Sequence, residues 1–172
     1  MEFIQSIKEL VPDWAKDIRL NLDSVIGRST LPAEDAVGAA LAAAFAARSP
    51  VLVEAFKKGL SEADANGALT AASLMGMNNV WYPYVEMSGD AQLKGLPAQL
   101  RMNAYATSGG VDKKRFELFA LCASIIGKCH FCVESHYALL KQEGYSTEQL
   151  RDVGRIAAVV NATAQVLAAQ GK

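Results

Sequence analysis

The sequence predicts an all-α fold, and three observations predict it. Apolar residues recur at helical spacing along most of the chain, strand-like alternation is nowhere sustained, and Ser, Asp and Pro stand where helices would begin. With 172 residues, 51% of them hydrophobic, the chain can bury the core of one domain spanning 1–172.

The elements follow in order. Phe3, Ile4, Ile7, Leu10 and Val11 share a face, which predicts a helix over Met1 to Val11 that Pro12 ends. From Asp13, a second short helix runs through Trp14, Ile18, Leu22 and Val25. Ser29-Thr30-Leu31-Pro32 offers a cap and a proline near the first helical position. The alanine-rich helix that follows, through Ala47, should be buried on several sides. Ser49-Pro50 starts a helix to Leu60, and Ser61 starts another that reaches Asn78–Tyr82 and stops before Pro83. Gly76 within it costs about 1 kcal/mol relative to Ala, which points to a close helix approach. Gly89, Gly95, Pro97, Gly109 and Gly110 mark residues 83–110 as a connector. Helical period returns over Asp112–Ile126 and Cys129–Glu143, with Gly144 as the stop. Ser146-Thr147-Glu148-Gln149 has capping-box form before a last helix ending near Gln170. Trp14, Trp81 and Tyr82 read as core or subunit-contact aromatics.

Composition excludes several classes of function. A net charge of −1 with no basic block argues against nucleic acid or an anionic membrane as partner. No uncharged run reaches the roughly 18 residues of a membrane span, and the first residues show neither a basic n-region nor a long apolar h-region. A soluble, cytoplasmic protein is expected. Three clustered cysteines do not make a disulfide framework, so a C-x-x-C pair in a reducing compartment reads as redox or metal chemistry. Cys122, inside an apolar run, reads as a buried core thiol.

The chemistry concentrates between Glu117 and His136. Cys129, Cys132 and His136 stand at i, i+3 and i+7 and fall on one helical face, with His136 one turn beyond Cys132. A helix opening near Cys129 pushes a first-turn cysteine toward thiolate, the form that attacks peroxides and disulfides. Gly127 can reverse the chain, which would bring the Glu117 carboxylate toward His136. There it would orient the imidazole and favour its charged form, leaving His136 as the base that accepts the thiol proton. Two other readings stand beside this one. The cysteines can be small buried hydrophobes, or Cys129, Cys132, His136 and Glu117 can hold zinc. A second C-x-x-C or His pair, usual in structural zinc sites, is missing, and His130 points in a different direction from the cysteine face. No cofactor is implied.

Residues of about 31–82 and 111–169 look like a weak internal repeat on either side of the connector. Sliding Leu31–Leu60 onto Val111–Leu140 without a gap matches Ala40 with Ala120, Leu41 with Leu121, Val53 with Val133 and Glu54 with Glu134. Val37, Ser49, Leu52 and Phe56 then fall opposite Glu117, Cys129, Cys132 and His136. A duplicated scaffold would pack without those four, which assigns them to chemistry.

Pro12–Leu22, Met75–Tyr82 (M-G-M-N-N-V-W-Y), Leu100–Asn103 and the block Glu117…Cys129-x-x-Cys132-x-x-x-His136 closely resemble the alkyl hydroperoxide reductase D family. That family lies within the carboxymuconolactone decarboxylase-like group. The resemblance implies an all-helical subunit of two related halves, a homotrimer, and thiol-dependent peroxidase and disulfide reductase activity. It implies that Cys132 is oxidised to sulfenic acid, that Cys129 is proton donor and disulfide partner, and that Glu117 and His136 relay protons. The implied partners are a two-cysteine peroxiredoxin, which is re-reduced, and a dihydrolipoamide-containing acyltransferase, which supplies electrons. A non-redox enzyme of the wider group is the alternative, although such members typically lack the cysteine pair. One departure stands out: familiar members carry histidine just before the second cysteine, where this chain has Phe131, with His130 one place earlier. One residue turns a helical side chain by about 100°, so His130 does not inherit that role.

Overall fold

The computed structural model describes residues 1–172, and the fold is entirely helical. The helices are α1 (Glu2–Leu10), α2 (Lys16–Asn21), α3 (Ala33–Ala46), α4 (Pro50–Lys57), α5 (Glu62–Ser88), α6 (Ala91–Lys94), α7 (Asn103–Ala106), α8 (Lys113–Gly127), α9 (His130–Gln142) and α10 (Thr147–Ala169). None is long and apolar enough to cross a membrane.

Helix α3 is buried on every side from Asp35 to Ala44, as its alanine content predicts, because small side chains let neighbours approach closely. Helices α5, α8 and α10 pack against it. At the closest approach of α3 and α8, a Cβ on Gly38 would stand 2.4 Å from the Phe119 ring, so only glycine fits there. Arg115 joins three of these helices at one end, donating to Asp35 of α3 at 2.6 Å and to Asp64 of α5 at 2.5 Å. Side chains of Ser49, Ser61 and Ser146 cap α4, α5 and α10 where the sequence places them, the last as a full capping box.

Several expectations are corrected. Ser29 and Thr30 do not cap α3. Both hydroxyls and the Thr30 N–H donate instead to the buried Asp152 carboxylate of α10, at 3.3, 2.9 and 2.8 Å, and pin the N-terminal arm there. The helix expected from Asp13 is broken into a 3₁₀ turn (Asp13–Ala15), α2 and a π-helical turn (Leu22–Gly27), and Trp14 is exposed, which removes the core half of its reading and leaves the subunit-contact half. Helix α5 does not stop before Pro83. One missing N–H is tolerated in a helix of 27 residues, and the end comes at Gly89, whose φ of 64° forms a left-handed C-cap. The connector accordingly begins later than Pro83 and contains two single-turn helices, α6 and α7. Gly76 marks no close approach within the chain, since a Cβ there would meet nothing within 4 Å.

Candidate functional site

The site forms where α8 ends and α9 begins. The reversal falls on Lys128, with φ of 54°, rather than on Gly127. Gly127 is needed for another reason: a Cβ there would lie 2.1 Å from the Asn79 amide of α5, which donates to the Ala123 carbonyl across the same gap. The turn therefore sits tightly against α5.

Cys129 is the N-cap of α9, one position before the helix proper, and its Sγ accepts the Cys132 N–H at 3.3 Å. Sulfur thus fills the place that Ser49 Oγ takes on α4, where it accepts from Leu52 at 3.4 Å. The two cysteines are joined as a disulfide with their Cα atoms 5.3 Å apart, and both are buried. Cys129 Sγ lies 3.8 Å from the Asn78 carbonyl oxygen of α5, so the pair rests on that helix. Cys122 is a buried free thiol whose ionisation burial alone pushes far up, consistent with an inert core position.

One turn along α9, His136 is buried at 7% exposure, and Glu117 of α8 at 1%. Nδ1 of His136 lies 2.6 Å from Glu117 Oε2, the antiparallel contact that the reversal makes possible. Two further groups complete this cluster, and sequence reasoning missed both. Tyr105 of α7 donates its hydroxyl to Glu117 Oε1 at 2.5 Å and packs edge-on against Phe116. Met75 of α5, fully buried, places Sδ 3.2 Å from His136 Nε2. Burial would raise the Glu117 carboxyl, but hydrogen bonds from His136 and Tyr105 outweigh it and hold the group below the ordinary carboxylate range. Burial, followed by the bond to Glu117, pushes the Tyr105 phenol up, so it stays protonated and donating.

The outward side of the turn is open. A depression of about 440 Å³ is lined by Ile125, Lys128, Cys129, His130, Val133 and Tyr137. Beside it lies a cleft of about 770 Å³ with Trp81, Tyr82, Glu86, Leu96, His130 and Phe131 in its walls. Phe131 stacks on Tyr82 with ring centroids 4.2 Å apart, and the exposed His130 places Nδ1 3.3 Å from Glu86. Neither residue joins the Glu117–His136 cluster, in keeping with the rotation that separates His130 from the cysteine face. With the cysteines joined as a disulfide, the four candidate zinc donors are spent on one another, sulfur on sulfur and carboxylate on imidazole.

Known proteins resemble this chain along nearly its whole length. The profile of the Carboxymuconolactone decarboxylase family matches residues 91–171, which include Tyr105, Glu117, both site cysteines and His136. The chain is 44% identical over 171 residues to "Alkyl hydroperoxide reductase AhpD" of Rhodospirillum centenum, covering 97% of this chain and 91% of the relative. It is 42% identical over 171 residues to the protein of that name from Maricaulis maris, covering 97% and 98%. To that of Coxiella burnetii it is 40% identical over 176 residues, covering 98% and 99%.

Proposed function

The chain belongs to the alkyl hydroperoxide reductase AhpD family, and on that premise we propose a thiol-dependent peroxidase and disulfide reductase whose redox centre is the Cys129–Cys132 pair. The observation that carries this reading is the buried Glu117–His136 pair one helical turn beyond a cysteine disulfide.

In the reduced protein, His136 takes the Cys132 proton, with Glu117 orienting the ring and balancing its charge and Tyr105 fixing Glu117 from the other side. The Cys132 thiolate attacks the terminal oxygen of a hydroperoxide; the O–O bond breaks, an alcohol leaves with one proton, and Cys132 becomes a sulfenic acid. The Cys129 thiol then displaces water from that sulfur and forms the disulfide, which protects Cys132 from further oxidation. A dihydrolipoamide dithiol on an acyltransferase returns two electrons and two protons by thiol–disulfide exchange. The same dithiol form of the pair would reduce the disulfide of a two-cysteine peroxiredoxin. Cytoplasmic location fits a pair that must cycle through its reduced form.

Assembly as a homotrimer is part of the proposal. Val80, Tyr84 and Met87 form an exposed apolar stripe at i, i+4 and i+7 on the distal part of α5, a surface suited to another subunit. A strict monomer in sedimentation at micromolar concentration would remove this part.

The central test measures peroxide-dependent turnover with reduced lipoamide, with and without a two-cysteine peroxiredoxin. The expected result is turnover that requires both cysteines. Activity that survives loss of both would move the protein to the non-redox branch of the wider group.

A further inference from the structure

We propose that Met75 is a positioning residue of the relay: its thioether is the acceptor that holds the outer ring nitrogen of His136 while the cysteines are joined as a disulfide. This rests on the reading of Glu117 and His136 as a proton relay.

The directions of the hydrogen bonds lead to it. Tyr105 donates to Oε1 of Glu117, and Oε2 of that carboxylate faces Nδ1 of His136, so Nδ1 donates. The other ring nitrogen, Nε2, lies 3.2 Å from Met75 Sδ. A thioether has no hydrogen to give, so that contact is a hydrogen bond only when Nε2 carries a proton. With an acceptor at each nitrogen, the ring that satisfies both is the doubly protonated imidazolium, its charge balanced by Glu117. The chain of donation therefore runs from Tyr105 to Glu117 on one side, and from the two N–H groups of His136 to Glu117 and Met75.

Location and chemistry both suit Met75 to this task. It is fully buried on α5, three residues before the Asn78 carbonyl that touches Cys129, so one turn of α5 faces both the disulfide and the histidine. Sulfur in a thioether is a weak acceptor. It can hold the N–H in direction without competing with a thiolate, and the contact gives way once Cys132 is reduced. A carboxylate or amide oxygen at that place would hold the proton too firmly. The other titratable groups around the ring are Glu117 and, through it, Tyr105; Lys113 of α8 acts on Glu117 from a distance, and Cys132 lies one turn earlier on α9.

The test is nitrogen-15 spectroscopy of the His136 imidazole in the oxidised full-length protein at neutral pH, followed by the variant Met75→Leu, which conserves volume and removes the acceptor. The expected result is protons on both ring nitrogens in the wild type, with slow exchange at Nε2. In Met75→Leu that exchange quickens, the pH profile of Cys132 alkylation in the reduced protein moves, and kcat falls about threefold to thirtyfold with KM for the dithiol little changed. An unprotonated Nε2 in the wild type overturns the proposal, and so does a variant with unchanged imidazole spectrum and pH profile. The wild-type spectrum decides even if the variant fails to fold, and it is read without turnover. Failure of the relay reading shows separately, as full activity in Glu117→Gln.

Discussion

Residues 33–88 and residues 113–169 run through the same elements with different chemical content. Each has a helix (α3, α8), one left-handed non-glycine residue (Arg48 at φ 58°, Lys128 at φ 54°), a side chain that caps the next helix (Ser49, Cys129), and a further serine-capped long helix (α5, α10). We read the correspondence as an internal duplication. Val37, Leu52 and Phe56 are buried in the first run, where Glu117, Cys132 and His136 are buried in the second. Valine and phenylalanine need no partner in a core. Glutamate and histidine do, since an unpaired buried charge is costly, and the second run meets that need with Tyr105 and Met75 from outside it. On that reading, the candidate site is a local exchange of side chains on a type of reversal that the first run builds with Ser49, Leu52 and Phe56.

The sharpest way to break that comparison is to move the second run toward the first. Cys132→Ser should reduce dihydrolipoamide-dependent peroxide consumption about a thousandfold or more, to background, while the Cys129 cap keeps α9 in place. Retained turnover would place the chemistry elsewhere. Glu117→Gln should keep fold and oligomer and lose about tenfold to a thousandfold in turnover, within or somewhat below the usual span for acid–base groups. If Cys132 alkylation were unchanged across pH in that variant, Glu117 would be a packing residue like Val37. Tyr105→Phe removes one donor from a carboxylate that retains the other, so a fall of about threefold to tenfold is expected, together with a shifted alkylation profile. A profile identical to wild type would detach Tyr105 from the relay. The smallest effect is on stability alone: Arg48→Gly and Lys128→Gly each relieve a left-handed residue, and both should stabilise by about 0.5–1 kcal/mol in denaturant unfolding. A gain at one and a loss at the other would show that the two reversals are not equivalent.

Much of this was legible in the sequence, and what was not has identifiable causes. Helical period located α3, α8 and α9, and helical period with serine caps α4 and α10, to within a residue or three, because burial and capping are local signals. Pro83 misled because a proline weakens a long helix without always ending it. Gly76 and Gly127 misled in opposite senses, since a glycine does not say whether space or conformation requires it; Asn79, 48 residues earlier in the chain, explains Gly127. The Glu117–His136 contact could be anticipated from a reversal between two helices. Tyr105 and Met75 could not, because they come from a connector with no period and from a helix whose packing face is set by tertiary structure. Met75 did fall within a distinctive run, M-G-M-N-N, but nothing in that run pointed at histidine.

The buried Asp152 has a consequence for how the molecule opens. Its carboxylate gathers Ser29, Thr30 and, at 2.9 Å, Arg155, and although burial raises it, the Thr30 bonds hold it below the ordinary carboxylate range. A depressed folded value means that its stabilisation is present above the unfolded value near pH 4 and is lost as pH falls through the folded one. Acid should therefore loosen the first 31 residues before the helices around α3, as a partial opening rather than global unfolding. Amide hydrogen exchange would register it first at Thr30, whose N–H loses its acceptor when Asp152 takes up a proton, while protection along α3 and α8 persists.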